Sequence, residues 1–153
     1  MKISALDENN KPTDWWFIYK VPELNPGAGS DKATGYEYVY YDATIDANRT
    51  KTAPKVIKSP YVLNEGKGAL NFTLDSVFTN FKKPSATTGW ILYNDEMPAS
   101  TKEKDDGNKG HTKGVIAFDT ASKTAYWLLH SWPKFADPGA KSKPSPEHAH
   151  VRH

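Results

Sequence analysis

Apolar residues are grouped along the chain in short runs that predict about six β-strands. Some runs are nearly continuous, as in residues 14–21 and 115–118, which is typical of strands buried on both faces. In residues 35–41, Tyr36, Tyr38 and Tyr40 instead fall on alternate positions and cover one face. Half-buried sheets are routinely built this way, so packing is favoured over ligand stacking there. The predicted strands cover residues 14–21, 35–41, 55–58, 90–93, 111–118 and 125–130.

An amphipathic helix is predicted between the third and fourth strands. Its apolar residues recur at helical spacing and end before Pro84, and Thr73 is suited to cap its N-terminus. The residues of this stripe are Leu74, Val77, Phe78 and Phe81. Residues 44–52 are polar and irregular, and no element is predicted there. Six strands and one clear helix predict a mixed α/β (α+β) fold.

Length and composition limit the class of protein. A chain of 153 residues is long enough to bury a real core and predicts a single domain, which we expect to cover residues 1–136. Residues 137–153 form a Pro-, Ser- and His-containing tail that is expected to be flexible. Because there is no cysteine, disulfides and thiolate metal sites are excluded. The net charge of +2 does not by itself mark a strongly basic nucleic-acid binder.

Candidate chemistry is concentrated in residues 110–119. His111 and Lys113 lie two positions apart at the start of a predicted strand, so their side chains project to the same side. An imidazole and an ammonium placed together can meet one phosphate group, and Gly110 and Gly114 leave room around them. A His-x-Lys triplet is common by chance, and the alternative is a solvated His and Lys that enter a strand. The triplet therefore indicates phosphate chemistry only together with its surroundings.

Two alternative hypotheses do not involve phosphate chemistry at His111 and Lys113. The first is a binding module with an aromatic platform, which would consist of Tyr36, Tyr38, Trp90 and Trp132. The second is a metal site in the tail, because three histidines within six residues can hold Ni²⁺, Cu²⁺ or Zn²⁺. Those histidines are His148, His150 and His153. Ordering a flexible tail costs conformational entropy, so we expect no metal there.

Four blocks of sequence, taken in order and at their separations, resemble the N-terminal half of deoxyribonuclease II. They are residues 14–22, 92–95, 110–115 and 127–135. The resemblance implies a phospholipase D-like fold, in which two similar halves each give one His-x-Lys motif to a shared active site. It also implies an endonuclease that cuts DNA at acid pH without a metal or other cofactor. Such an enzyme leaves 3′-phosphate ends through a phosphohistidine intermediate.

The resemblance implies that His111 is the nucleophile or general acid and that Lys113 is the phosphate clamp. We expect His130 to support the same cleft, with a satisfied imidazole at a strand end as the alternative. Asn94 and Asp95 either orient a site histidine or bind phosphate, or else they form the turn after a strand. No role is assigned to Asp119, which follows Lys113 by one position more than is usual in the wider superfamily.

The chain departs from the family pattern in one respect, because it contains one His-x-Lys where a complete site needs two. No other histidine has a lysine two positions later. We expect the second motif to come from a second copy across a two-fold axis or from a separate chain that carries the C-terminal half. The alternative is a catalytically incompetent fragment.

The compartment is left open. The resemblance implies a secreted or lysosomal protein, whereas residues 1–11 are polar and lack the apolar segment of a signal peptide. No membrane partner is expected, because no apolar run approaches membrane-spanning length.

Overall fold

The computed structural model describes residues 3–23, 33–49, 55–95 and 112–131. In chain order its elements are β1 (Trp16–Lys20), β2 (Tyr38–Asp42), α1 (Ala43–Ala47), β3 (Ile57–Lys58), α2 (Gly68–Lys82), β4 (Thr88–Asn94), β5 (Lys113–Asp119) and β6 (Thr124–His130). The mixed α/β class is confirmed. The chain forms two compact units, Ala5–Leu74 and a second that joins Met1–Ser4 to Asp75–His153. The predicted boundary between residues 136 and 137 lies outside the described residues.

The first unit contains an antiparallel sheet in the order β1-β2-β3. One face of β2 carries Tyr38 and Tyr40, and each side chain is almost completely buried. The sequence-based expectation that these rings pack into the core is therefore confirmed. The opposite face carries Phe17 of β1 beside its partner Tyr41 of β2. Phe17 is exposed on this face, whereas Tyr41 is buried.

A buried carboxylate ties the first unit together. Glu8 accepts hydrogen bonds from the hydroxyls of Tyr38 and Ser59, each at 2.7 Å, and from the backbone N–H of Ala69 at 3.2 Å. Ala69 lies in the first turn of α2, where backbone N–H groups need acceptors. Gly68 precedes it with φ +84°, and a Cβ at that position would collide with the Tyr38 hydroxyl. One side chain thus links the N-terminal segment, β2 and the start of α2.

The helices differ from the prediction at two points. Helix α1 (Ala43–Ala47) overlaps residues 44–52, for which no element was predicted, and Asp42 caps it by accepting from the N–H of Ile45 at 2.7 Å. Helix α2 begins at Gly68 rather than at a Thr73 cap. Thr73 is buried inside the helix, and its hydroxyl accepts from the N–H of Leu6 at 2.9 Å. Two members of the predicted apolar stripe, Leu74 and Val77, are buried, and Phe78 is half-buried.

The second unit contains an antiparallel sheet in the order β4-β5-β6. Its inner face, which includes Val115, Ala117, Tyr126 and Leu128, is buried. Its outer face presents Phe118 and several other large apolar side chains to solvent. The prediction that the strand over residues 115–118 is buried on both faces is therefore wrong for one face. An antiparallel sheet can leave one face uncovered in this way.

No helix within the described ranges is long and apolar enough to span a membrane.

Candidate functional site

Three polar side chains lie side by side at one end of the β4-β5-β6 sheet. Lys113 opens the central strand, and it is in register with Asn94 of β4 and His130 of β6. Directly paired residues share a face, so all three belong to the inner face. The Lys113 side chain is completely buried, with 0% of its surface exposed. The sequence predicted these three residues as site residues, but it gave no indication that the lysine is buried.

Asp95 is the carboxylate that holds Lys113. Its Oδ1 lies 3.4 Å from Nζ of Lys113, and its Oδ2 accepts from the N–H of Thr112 at 2.9 Å. The N–H of Asp95 donates in turn to the Thr112 carbonyl at 3.3 Å, which extends the β4-β5 pairing by one residue. The hydrogen bond from Thr112, followed by the charge of Lys113, holds the pKa of Asp95 below its usual value. Asp95 therefore stays ionised at mildly acid pH and fixes two residues of the His-x-Lys triplet.

His130 is electrostatically coupled to the same lysine. Burial, followed by the charge of Lys113, lowers the pKa of His130 from 6.5 to about 4. Its Nε2 is inaccessible to solvent. Burial disfavours the charged imidazolium, and a neighbouring cation disfavours it further. His130 is therefore neutral at pH 5, and at that pH it can accept a proton but has none to give as an acid.

The sheet end is braced from its outer face by residues that sequence reasoning did not select. Tyr93 crosses Gly114, where any Cβ would collide with the Tyr93 ring and would lie 2.6 Å from the carbonyl oxygen of Leu128. The Tyr93 hydroxyl accepts from the indole N–H of Trp127 at 3.0 Å. The space beside Gly114 was expected to serve the His111 and Lys113 pair, but a tyrosine on the other face fills it. Gly114, a glycine inside an apolar strand, is the feature of the sequence that could have indicated such a close approach.

The remaining candidates fall elsewhere. His111, Trp132 and the three histidines of the tail lie outside the described residues. Asp119 lies at the far end of β5, about 20 Å from Lys113 along the strand. It accepts from the Ser122 hydroxyl at 2.7 Å and the Ala121 N–H at 3.1 Å, so it supports the turn between β5 and β6. In the part of the chain that the structure describes, no group of three His, Cys, Asp or Glu residues is suited to a metal.

The aromatic platform that was considered as an alternative does not form as predicted. Tyr38 is 1% exposed and holds Glu8, so its ring cannot meet a ligand. Tyr36 and Trp90 are half-buried.

The fold and the site together define a mixed α+β protein with a cationic, histidine-containing site at one end of an antiparallel sheet. Residues 4–152 match the family model described as Deoxyribonuclease II. The chain belongs to the deoxyribonuclease II family. This confirms the family resemblance that the four sequence blocks carried.

Several proteins of the family are similar to most of this chain. A Burkholderia thailandensis protein named "Putative deoxyribonuclease-2" is 56% identical over 95% of the chain. Plancitoxin-1 of Acanthaster planci is 34% identical over 96%, and deoxyribonuclease-2-alpha of Rattus norvegicus is 31% identical over 90%. The chain spans 39%, 37% and 35% of the lengths of these relatives.

Proposed function

We propose that this chain supplies one half of the active site of a metal-independent acid endonuclease that cuts DNA. The observation that supports this most strongly is Lys113, a fully buried ammonium that Asp95 holds beside His130. Burying a charge is costly unless it is paired, so such a lysine is rare without a reason. Because the chain belongs to the deoxyribonuclease II family, we propose that this reason is the stabilisation of a phosphate group.

In the proposed reaction, the neutral imidazole of His111 attacks phosphorus. A bond from nitrogen to phosphorus forms as the bond to the 5′-oxygen breaks, and a second imidazolium protonates the departing oxygen. Lys113 stabilises the negative charge on the non-bridging oxygens. Water then attacks the phosphohistidine, which releases a 3′-phosphate and frees His111. Cationic side chains supply the field that a metal ion would otherwise provide.

We propose that the general acid comes from outside the residues of this sequence. A histidine that is forming a bond to phosphorus cannot at the same time protonate the oxygen that leaves on the opposite side. His130 is poorly suited to that task, because a pKa of about 4 leaves it neutral at mildly acid pH. We therefore propose a second His-x-Lys donor. This donor is either a two-fold copy of this chain, which supplies an equivalent His111 and Lys113, or a separate chain that carries the C-terminal half. A two-fold copy is favoured over a self-sufficient monomer.

Cleavage of supercoiled plasmid at pH 5 in excess chelator tests the proposal. We expect wild type to cut, and His111→Ala to lose at least about a hundredfold in rate because the nucleophile is gone. His148→Ala is the matched control, since it removes a histidine to which the proposal assigns no role, and it should cut at the wild-type rate.

If the wild-type chain is inactive alone, it is then mixed with the segment of the Burkholderia relative that the chain does not span. Cleavage that appears only in the mixture identifies a separate chain as the second donor. Absence of cleavage in both experiments, or a requirement for Mg²⁺, contradicts the proposal.

A further inference from the structure

The most exposed aromatic side chains of the first unit form a ladder. Trp15, Phe17 and Tyr19 occupy alternate positions at and along β1, so they share one face, and 43%, 47% and 62% of their surfaces are exposed. The Trp15 carbonyl accepts from the N–H of Ala43 at 3.1 Å, which keeps Trp15 in line with the strand. The mechanism proposed above uses none of these rings.

Tyr41, on the neighbouring strand β2, holds two of the rings in place. Its ring centroid is 5.8 Å from that of Trp15 and 5.6 Å from that of Phe17. The Tyr41 hydroxyl is anchored by Asp46 at 2.9 Å. Rings that are already ordered lose little conformational entropy when a flat ligand stacks on them. Two of the three rings, those of Trp15 and Phe17, are thus preorganised by contact with Tyr41.

Cations border the same face. Lys58 of β3 pairs with Val39, which pairs with Tyr19, so the exposed lysine lies on the ladder face about 10 Å from Tyr19. Arg49 lies at the other end, 3.4 Å from the Asp46 carboxylate that holds Tyr41. Exposed rings flanked by cationic side chains fit a ligand that combines flat rings with negative charge.

The outer face of the β4-β5-β6 sheet has a different character. It exposes Ile91, Trp127 and Leu129 together, and its three strands carry no cationic side chain on that face. An apolar face of this kind fits protein packing. The ladder, by contrast, has no aliphatic residue among its three exposed members.

We propose that the ladder of Trp15, Phe17 and Tyr19 binds single-stranded DNA by stacking on successive bases. Side chains two positions apart on a strand are about 6.7 Å apart. Bases in duplex DNA are stacked about 3.4 Å apart, so successive rings of the ladder do not match a stacked duplex. They match bases that have been drawn apart, and Lys58 is positioned to meet the phosphates between them. The proposal rests on the proposed function only in its choice of DNA as the ligand.

Binding is measured by fluorescence polarisation of a labelled 12-nucleotide oligo-dT, in chelator, with every variant made in the His111→Ala background. The probe therefore stays intact whether or not the chain is a nuclease. We expect Tyr19→Leu to weaken binding at least about fivefold, and Phe17→Leu with Tyr19→Leu at least about 25-fold, as loss of stacked bases requires. Lys58→Gln should reduce the slope of log affinity against log salt by about one. Binding to a 12-base-pair duplex should change less than twofold in the ladder variants.

Phe118→Leu is the matched control, because it removes an exposed ring from the outer face of the other sheet, at the end of β5 away from Lys113, and its binding should stay within twofold. Circular dichroism confirms that each variant is folded, and Tyr19 is the most exposed member of the ladder and thus the safest substitution. Absence of oligo-dT binding in the His111→Ala parent overturns the proposal. Equal losses in Phe118→Leu and Tyr19→Leu also overturn it, because they indicate nonspecific apolar binding. Binding of a neutral oligosaccharide without DNA binding identifies the ladder as a sugar platform instead.

Discussion

Lys113 and His130 illustrate how two neighbouring residues set each other's chemistry. The lysine is buried and held by Asp95, while the histidine beside it is kept neutral by burial and by the lysine's charge. Neither property follows from residue identity, because both depend on the register of three strands. A His and a Lys that were both solvated would have ordinary pKa values and little affinity for a single phosphate.

We expect Lys113→Met to raise the pKa of His130 above its value of about 4. Methionine retains an unbranched apolar stem but removes the positive charge that disfavours the imidazolium. The pKa should stay below 6.5, because burial acts first and is retained. NMR titration of the imidazole Cε1–H signal measures it, with His130→Gln to assign the signal. An unchanged or lower pKa would show that the lysine is not the second cause.

At the scale of elements, Glu8 explains how a short N-terminal segment holds β2 and α2. We expect Glu8→Ala to lower the free energy of unfolding by about 3 kcal/mol or more, since two hydroxyls and one backbone N–H lose a buried acceptor. Chemical denaturation at pH 7 measures the loss. Glu65→Ala, at an exposed position, should change stability by less than about 0.5 kcal/mol. Equal effects of the two substitutions would refute the role of Glu8.

The six strands of the described residues could be predicted from their apolar runs and alternation. The runs over residues 14–21 and 115–118 nevertheless leave one face exposed, and the prediction of burial on both faces is wrong for both. The two helix errors have physical causes. Helix α1 is five residues long and depends on the Asp42 cap, so it carries too little periodicity to detect. Helix α2 starts at a glycine with positive φ, and Thr73 points to Leu6 instead of capping. Propensity is a weak guide when tertiary hydrogen bonds decide the boundary.

The candidate site was predictable in its members but not in its arrangement. Lys113, Asn94, Asp95 and His130 were all selected from the sequence. Their meeting depends on the turn between β5 and β6, which sets the pairing of Lys113 with His130, and a shift of one residue would separate them to opposite faces. Burial of the lysine depends in turn on how the inner face is packed. The spacing of two residues along the sequence predicts neither the strand register nor the burial of Lys113.

For the whole molecule, we expect stability to fall as the pH drops from about 6.5 to 4.5. The folded pKa of His130 is about 4, below the unfolded value of 6.5, so the unfolded state binds more protons in that window. The total loss in free energy of unfolding, which is complete near pH 4, is at most about 3 kcal/mol. Asp95 and Asp119 have lowered pKa values, and they lose their contributions only below their ordinary value of 3.8. Denaturation across pH 4.5 to 7 should show a smaller slope in His130→Gln than in wild type, and equal slopes would contradict the assignment.

The proposed second donor predicts how activity depends on assembly. If each site needs His111 from two copies, a half-and-half mixture with His111→Ala chains should retain about a quarter of the activity, because both copies must be wild type. Coexpression allows the chains to mix at random, and sedimentation at pH 5 and pH 7 reports the dimer. Activity that falls in direct proportion to the wild-type fraction would refute the shared site. Full activity from a monomer would refute it as well.

The burial of Lys113 also makes this residue a natural reporter for chemical footprinting. Reagents that acylate amines modify exposed lysines quickly, whereas an ammonium with no exposed surface is reached only when the sheet end opens. The time at which Lys113 is first acylated, read by mass spectrometry against an exposed lysine such as Lys82, therefore measures local opening. Partner docking or phosphate occupancy at this end of the sheet would lengthen that time without any assay of catalysis.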